Sequence, residues 1–153
     1  EYPYQVQMIN KLYLDLDQDI KKEIKKEKEN KDFEFKKELL REIDKKIASY
    51  KAQDSNKNKS IENNISPEQA IEKIVVCKLK CYYCKCNMKL FYQKVRDMEQ
   101  WTLDRIDNDL SHTDENVIIA CLKCNLQRRR QNKDKFLFTK QLKIVKHEGE
   151  PNE

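Results

Sequence analysis

Six cysteines, at positions 77, 81, 84, 86, 121 and 124, are the residues of this chain best spaced for chemistry. Cys81-x2-Cys84 and Cys121-x2-Cys124 form two C-x2-C pairs. Each pair sets two thiolates on one tight turn, aimed at one point. Two pairs complete a tetrahedral site for a borderline-soft cation, with metal–sulfur bonds near ~2.3 Å. Neither pair encloses a carboxylate, so the set favours a closed structural zinc site over an open catalytic one. Reduced buried thiols and an iron–sulfur cluster are the competing uses of such a set. Cys77 and Cys86 are spare. Either replaces a ligand if the register slips, through Cys77-x3-Cys81 or Cys84-x-Cys86, and otherwise both are ordinary cysteines. Tyr82 and Tyr83, inside the first pair, read as packing residues.

The stretch WTLDRIDNDLSHTDENVIIACLKCN, Trp101 to Asn125, runs into the second pair. It resembles the HNH endonucleases, the ββα-metal finger nucleases, in their four-cysteine zinc form. That family has an apolar strand ending in Asp-His, a loop, an Asn, a second apolar strand, and C-x2-C followed directly by His or Asn. Here Leu103-Asp104-Arg105, Asn116 and Cys121-x2-Cys124-Asn125 occupy those places. The resemblance covers residues 81–130, one third of the chain.

The resemblance implies hydrolysis of a phosphodiester, which needs an activated water and a cation on the phosphate oxygens. It makes Asp104 and Asn125 ligands of a Mg²⁺-like ion and Asn116 the residue that orients the base or shapes the loop. The general-base position holds Arg105 instead of His. A guanidinium cannot accept a proton at neutral pH, but it binds phosphate bidentately. His112, in the same loop, is the candidate for the missing imidazole or for a metal ligand. Its bland role is a loop histidine bonded to backbone or solvent. Asp107 and Asp109 suit a hard cation, or turns made through their own backbone. Asn116 likewise suits tying the loop to the strands. Trp101 is expected to be core.

From Cys121 to Lys146 there are nine basic residues and one acid, Asp134. Lys123, Arg128, Arg129, Arg130, Lys133 and Lys135 are the expected nucleic-acid contacts, on a helix read as Leu122–Asn132 and in the tail beyond it. Phosphate contacts and counterion release would carry the affinity, without reading sequence by themselves.

These residues need a scaffold, and composition limits it. The chain has 153 residues, 39% charged and 38% hydrophobic, with a formal charge of +5. A typical domain is about a quarter charged and nearer half apolar, so part of the chain must be an exposed arm or pack on something else. One glycine and three prolines argue against glycine-rich phosphate loops and turn-rich sandwiches. The longest apolar run, Val117 to Leu122, is far short of the ~20 residues of a membrane span. The chain opens on Glu1 without a signal-peptide pattern, which reads as a processed form or a fragment. Thiol usage points to an intracellular reducing compartment.

Residues 1–65 read as a charged helical extension and polar linker. In residues 1–64, 15 basic residues offset 14 acidic ones. Leu12, Leu16, Ile20 and Ile24 form one apolar stripe and Leu40, Ile43, Ile47 and Tyr50 another, separated by the charged run Lys25–Asp32. Asp54–Asn64 reads as linker. Residues 66–133 read as the zinc-stapled module. Ser66-Pro67-Glu68-Gln69 predicts a capping box opening a helix over Pro67–Val76. Asn87–Lys94 and Gln100–Ile106 are expected to pair as a hairpin, and Asn116–Ala120 to form a buried strand. Residues 134–153 read as a basic tail, with a helix or strand over Phe136–Val145 and a disordered acidic end.

The expected class is therefore α+β: a small zinc-stapled, HNH-like ββα-metal finger behind a long helical extension. The leading function is nucleic-acid binding, of DNA or RNA, and in its active version metal-dependent endonuclease chemistry with Zn²⁺ structural and Mg²⁺ catalytic. The alternatives are an inactive nucleic-acid grip and a structural subunit of a nucleoprotein assembly. The N-terminal helices are the expected surface for protein partners, and no membrane partner is expected.

Overall fold

In the computed structural model, residues 2–14 and 31–149 are described. The Leu16, Ile20 and Ile24 stripe, most of the charged run and the acidic end lie outside them. Among the described residues the first two helices are α1 (Tyr2–Leu14) and α2 (Lys31–Asn56). Met8, Ile9 and Leu12 of α1 and Leu39, Ile43 and Ile47 of α2 are buried. The α2 stripe starts at Leu39 rather than Leu40, which stays partly exposed. The helix α3 (Pro67–Val76) has the expected bounds. Ser66 Oγ accepts from the Gln69 N–H, and Gln69 Oε1 accepts from the Ser66 N–H. Ala70, Ile71 and Ile74 face inward.

The sheet has two antiparallel strands, β1 (Trp101–Arg105) and β2 (Val117–Cys121), with Leu103 opposite Ile119. The chain is thus α+β. The expected hairpin between Asn87–Lys94 and β1 does not form: that segment makes only isolated bridges, Lys80 to Asn87 and Lys89 to Gln100. The strand after the loop satisfies β1 instead, and the β1–β2 connection carries a 3₁₀ turn, Asp114–Asn116.

α4 (Leu122–Arg128) follows β2 directly, with the Cys121 thiol capping it by accepting from the Cys124 N–H. The helix read as Leu122–Asn132 ends four residues early. Arg129 takes φ 53° and ψ −115°, and a new helix, α5 (Lys133–Gly149), starts behind Asn132. With its one glycine at position 149, the chain makes left-handed backbone turns, among the described residues, at Asn58, Lys78, Leu79, Lys85 and Arg129.

The buried apolar side chains form one continuous cluster from Met8 in α1 to Phe136 in α5. The helical extension therefore shares a core with the module behind it. Lys46 ties the two. Its Nζ donates to Tyr92 Oη, Gln100 Oε1 and the Trp101 carbonyl, and lies over the Tyr92 and Trp101 rings. Tyr50 Oη accepts from the Leu103 N–H at the free edge of β1. No helix among the described residues is long and apolar enough to cross a membrane.

Candidate metal centre and nucleic-acid interface

The first cysteine pair sits on a knuckle closed by the Lys80–Asn87 bridge, with the Cys81 N–H donating to the Cys86 carbonyl and Lys85 turning the chain at φ 63°. The second pair spans the β2–α4 corner. The Tyr82 N–H donates to the Ile119 carbonyl, docking the knuckle onto β2. The thiols of Cys81, Cys84, Cys121 and Cys124 lie within 4.8 Å of one another, close enough to hold one metal ion. Cys84 and Cys121 are 3.8 Å apart, the edge of about 3.8 Å that four sulfurs at ~2.3 Å from a central ion would give. All six cysteines are free thiols. Hydrogen bonds from the Cys121 and Cys124 thiols pull Cys81 well below the ordinary thiol value. The spare thiols part company: Cys77 caps α3 on the Ile74 carbonyl, away from the cluster, whereas Cys86 borders the same cavity as Cys84 and Cys121.

The residues that the resemblance marked are held by internal bonds. Asp104 is almost fully buried between Tyr83, whose hydroxyl donates to Oδ2 at 2.6 Å, and Arg128, whose Nη1 donates to Oδ1 at 2.8 Å. Burial pushes the carboxyl up, and Tyr83 and Arg128 oppose it. Both oxygens thus already have a donor from this chain. Asn125 Nδ2 lies 3.1 Å from Thr102 Oγ1 and 3.3 Å from the Leu103 carbonyl, fastening α4 to β1. Asn116 staples the loop: Nδ2 donates to the Asp107 and Ser111 carbonyls, and Oδ1 accepts from the Asp107 N–H. Arg105 Nη1 donates to the Leu110 carbonyl at 3.2 Å and lies 4.0 Å from Asp54. Asp107 Oδ1 accepts from the Asp109 N–H, a local turn, and Asp109 pairs with Arg130.

His112 is buried, with Nδ1 2.9 Å from the Asp54 carboxylate and its ring 4.6 Å from that of Tyr50. Asp54 also accepts the His112 backbone N–H and the Asn64 amide. Burial pushes the Asp54 carboxyl up, but these donors together bring it below its ordinary value. Burial lowers His112, against the pull of Asp54, and keeps the ring neutral at neutral pH. The polar tract read as linker thus opens on a buried anchor. A lone Asp among polar residues carries no sequence signal of that role.

The basic set divides. Arg128, expected at a nucleic-acid surface, is instead 2% exposed. Its guanidinium also donates to the Arg105, Ile106 and Gln131 carbonyls at 2.5, 2.9 and 2.9 Å. The reason is register: α4 begins at the β2 corner that carries the second cysteine pair, so its last turn crosses Asp104. Lys123, Arg129, Arg130 and Lys135 are exposed, and Lys133 lies partly covered over the Tyr82 ring. The break at Arg129 keeps the three arginines from forming one cationic helix face. Comparison with protein families, curated proteins and solved structures returned no match for this chain.

Proposed function

We propose that this chain is a zinc-stapled, HNH-like ββα module that grips nucleic acid and does not cut it. The order β1–β2–α4, with one thiol pair on a knuckle and the other at the strand–helix corner, supports the ββα reading. Zinc suits the four-sulfur donor set, and bound there it would neutralise the thiolates and cross-link the knuckle to the corner. Four residues then have structural work: Asp104 pairs with Arg128, His112 anchors to Asp54, Asn116 staples the loop, and Asn125 joins α4 to β1. Arg105 stays partly exposed beside them and offers phosphate a charge, not a base.

The observation that carries the binding reading is the exposed cationic set Lys123, Arg129, Arg130 and Lys135, without an acid between Cys121 and Lys133. The observation that carries the absence of cutting is the buried Arg128–Asp104 pair, which already engages the carboxylate that a catalytic cation would need. The test has two arms on the zinc-loaded full chain. Titration of a labelled DNA duplex by anisotropy is expected to show binding that weakens steeply with salt. Plasmid incubated with Mg²⁺ is expected to stay supercoiled with wild type and with Arg105→His. Mg²⁺-dependent nicking that Asp104→Ala abolishes would restore the nuclease reading, and salt-insensitive or absent binding would remove the grip.

A further inference from the structure

The turn that closes α2 carries two cations that no motif marked. Lys57 is exposed and Lys59 half-buried. The turn is fixed by backbone bonds from the Lys57 N–H to the Gln53 and Asp54 carbonyls and from the Lys59 N–H to the Asp54 carbonyl, with Asn58 left-handed at φ 58°, a conformation Asn tolerates better than most residues. The Asp54 anchor on His112 locks this turn against the loop between β1 and β2.

That loop joins the turn to the end of α4. Lys59 Nζ donates to the Asn108 carbonyl at 2.7 Å, and Asn108 Nδ2 donates to the Arg129 carbonyl at 2.9 Å. Asn108 thus bridges a cationic turn at residue 59 and another at residue 129, which lie far apart in sequence. Arg105 sits at the same loop through its bond to the Leu110 carbonyl. Burial is the first cause that lowers the Lys59 ammonium; the nearby Arg105 and Lys57 charges lower it further, and Asp54 and Asp109 oppose them. Such crowded like charges are relieved by an anion. The acids at this face are the exposed Asp107 and Asp109 and the buried Asp54, 4.0 Å from Arg105 and bonded to His112 and Asn64; Asp109 is already matched by Arg130.

We infer that Lys57, Lys59 and Arg105 form the second jaw of a phosphate clamp whose first jaw is Arg129 and Arg130, and that the ligand is a nucleic-acid duplex. The inference rests on the nucleic-acid reading above and names where the backbone lies and in what form. A duplex fits because the face offers cations and amides but no stacking platform. Among the described residues the exposed aromatic side chains are Tyr13 on α1, 38% exposed, and Phe138 on α5, 61% exposed, and single-strand binders depend on such rings to stack bases. The exposed loop residues Ile106 and Leu110 between the jaws are aliphatic, suited to a groove rather than to stacking. The N-terminal extension becomes part of the grip, through the anchor that Asp54 makes.

The test compares three double variants of the zinc-loaded full chain: Lys57→Gln with Lys59→Gln, Arg129→Gln with Arg130→Gln, and, as a control with the same charge change at exposed positions of the segment before β1, Lys94→Gln with Arg96→Gln. Affinity for a labelled DNA duplex and for one of its single strands is measured by anisotropy across a salt series. Losing two phosphate contacts lowers the log–log salt slope by about 1.8 and the duplex affinity about 60-fold near ~0.1 M salt. Both jaw variants are expected to show this, with the control changed only a few-fold and wild type preferring the duplex. If the Lys57/Lys59 variant behaves as the control while the Arg129/Arg130 variant weakens, the second jaw is refuted and the nucleic-acid reading survives. If wild type binds neither ligand, both readings fall. Equal affinity for the single strand refutes the duplex assignment.

Discussion

Arg128→Met separates a structural guanidinium from a nucleic-acid-binding one. The methionine fills much of the volume but removes four hydrogen bonds, to Asp104 and to the carbonyls of Arg105, Ile106 and Gln131. It leaves a buried carboxylate with only the Tyr83 hydroxyl as partner. Removing one partner of a buried ion pair costs about 3–5 kcal/mol. For a chain of this size that is a fall in Tm of roughly 6–20 °C, at ~2–4 °C per kcal/mol. The pH dependence gives the signature. Burial already raises the Asp104 carboxyl, and losing the adjacent cation raises it further. The folded variant then binds a proton that the unfolded chain, near its ordinary 3.8, does not. Its deficit against wild type is therefore full at neutral pH and shrinks as pH falls through the raised value towards 3.8. Adding Asp104→Asn to Arg128→Met should recover part of the loss, because an uncharged amide no longer needs the cation. Urea titrations followed by circular dichroism, with zinc held constant, measure both effects. A loss below ~1 kcal/mol, flat with pH and accompanied by a large drop in duplex affinity, would refute the buried-pair argument and return Arg128 to the surface set.

Purified chain is expected to carry one zinc per molecule by elemental analysis, and a strong chelator should unfold the knuckle and the β2–α4 corner together. Cys84→Ser should lose the metal, while Cys86→Ser should keep it, since Cys86 lies outside the four-thiol cluster; the reverse result moves the ligand register. Asp54→Asn should cost about 3 kcal/mol, since hydrogen bonds to a buried charged acceptor carry ~1.5–3 kcal/mol each and Asp54 accepts from His112 and Asn64. The same pair makes wild type acid-labile. His112 is held below its ordinary 6.5, so the unfolded chain takes the proton first and stability declines as pH drops below 6.5. Asp54, held below 3.8, adds a second loss as pH falls through its folded value. A urea midpoint of wild type minus His112→Phe that does not move between neutral pH and pH 5 would contradict the first step.

What was legible in the sequence is what short-range chemistry writes. Ser66 and Gln69 announced a helix because a capping box is satisfied within four residues. The two C-x2-C pairs announced a shared site because a metal knuckle needs that local spacing. Leu39 displaced Leu40 from the α2 stripe because facing helices, which periodicity does not contain, set the buried phase. The β1 pairing failed for a similar reason: β-forming residues in Asn87–Lys94 identify a strand former, but the choice of partner is long-range. Arg128 was unreadable in principle. Three consecutive arginines look alike until the starting point of α4 at Cys121 decides which one meets Asp104. Asp54 and Lys59 were hidden in a tract whose composition suits a linker, and only the loop that packs on them from some 50 residues away gives them a role.

The Arg128–Asp104 pair also bears on why the proposed exposed grip needs a buried charge. Two ions taken out of water gain little net stability, and an apolar pair of similar volume often does as well. Geometry offers a better reason for this pair. α4 has only seven residues, too short to hold its own orientation. The guanidinium reads Asp104 and the Arg105 and Ile106 carbonyls at the end of β1, and the Gln131 carbonyl just past α4, so it fixes both the rotation of α4 and the point where the helix must stop. Arg129 then enters its strained backbone conformation, and Arg130 emerges beside Asp109 and the loop. Moving the ion pair by one residue would redirect the whole cationic end of the helix. Neutral replacement of both partners, Asp104→Leu with Arg128→Met, should therefore leave stability within ~1–2 kcal/mol of wild type while duplex affinity falls. Stability and affinity lost in parallel would instead mean that the pair supports the core and nothing more.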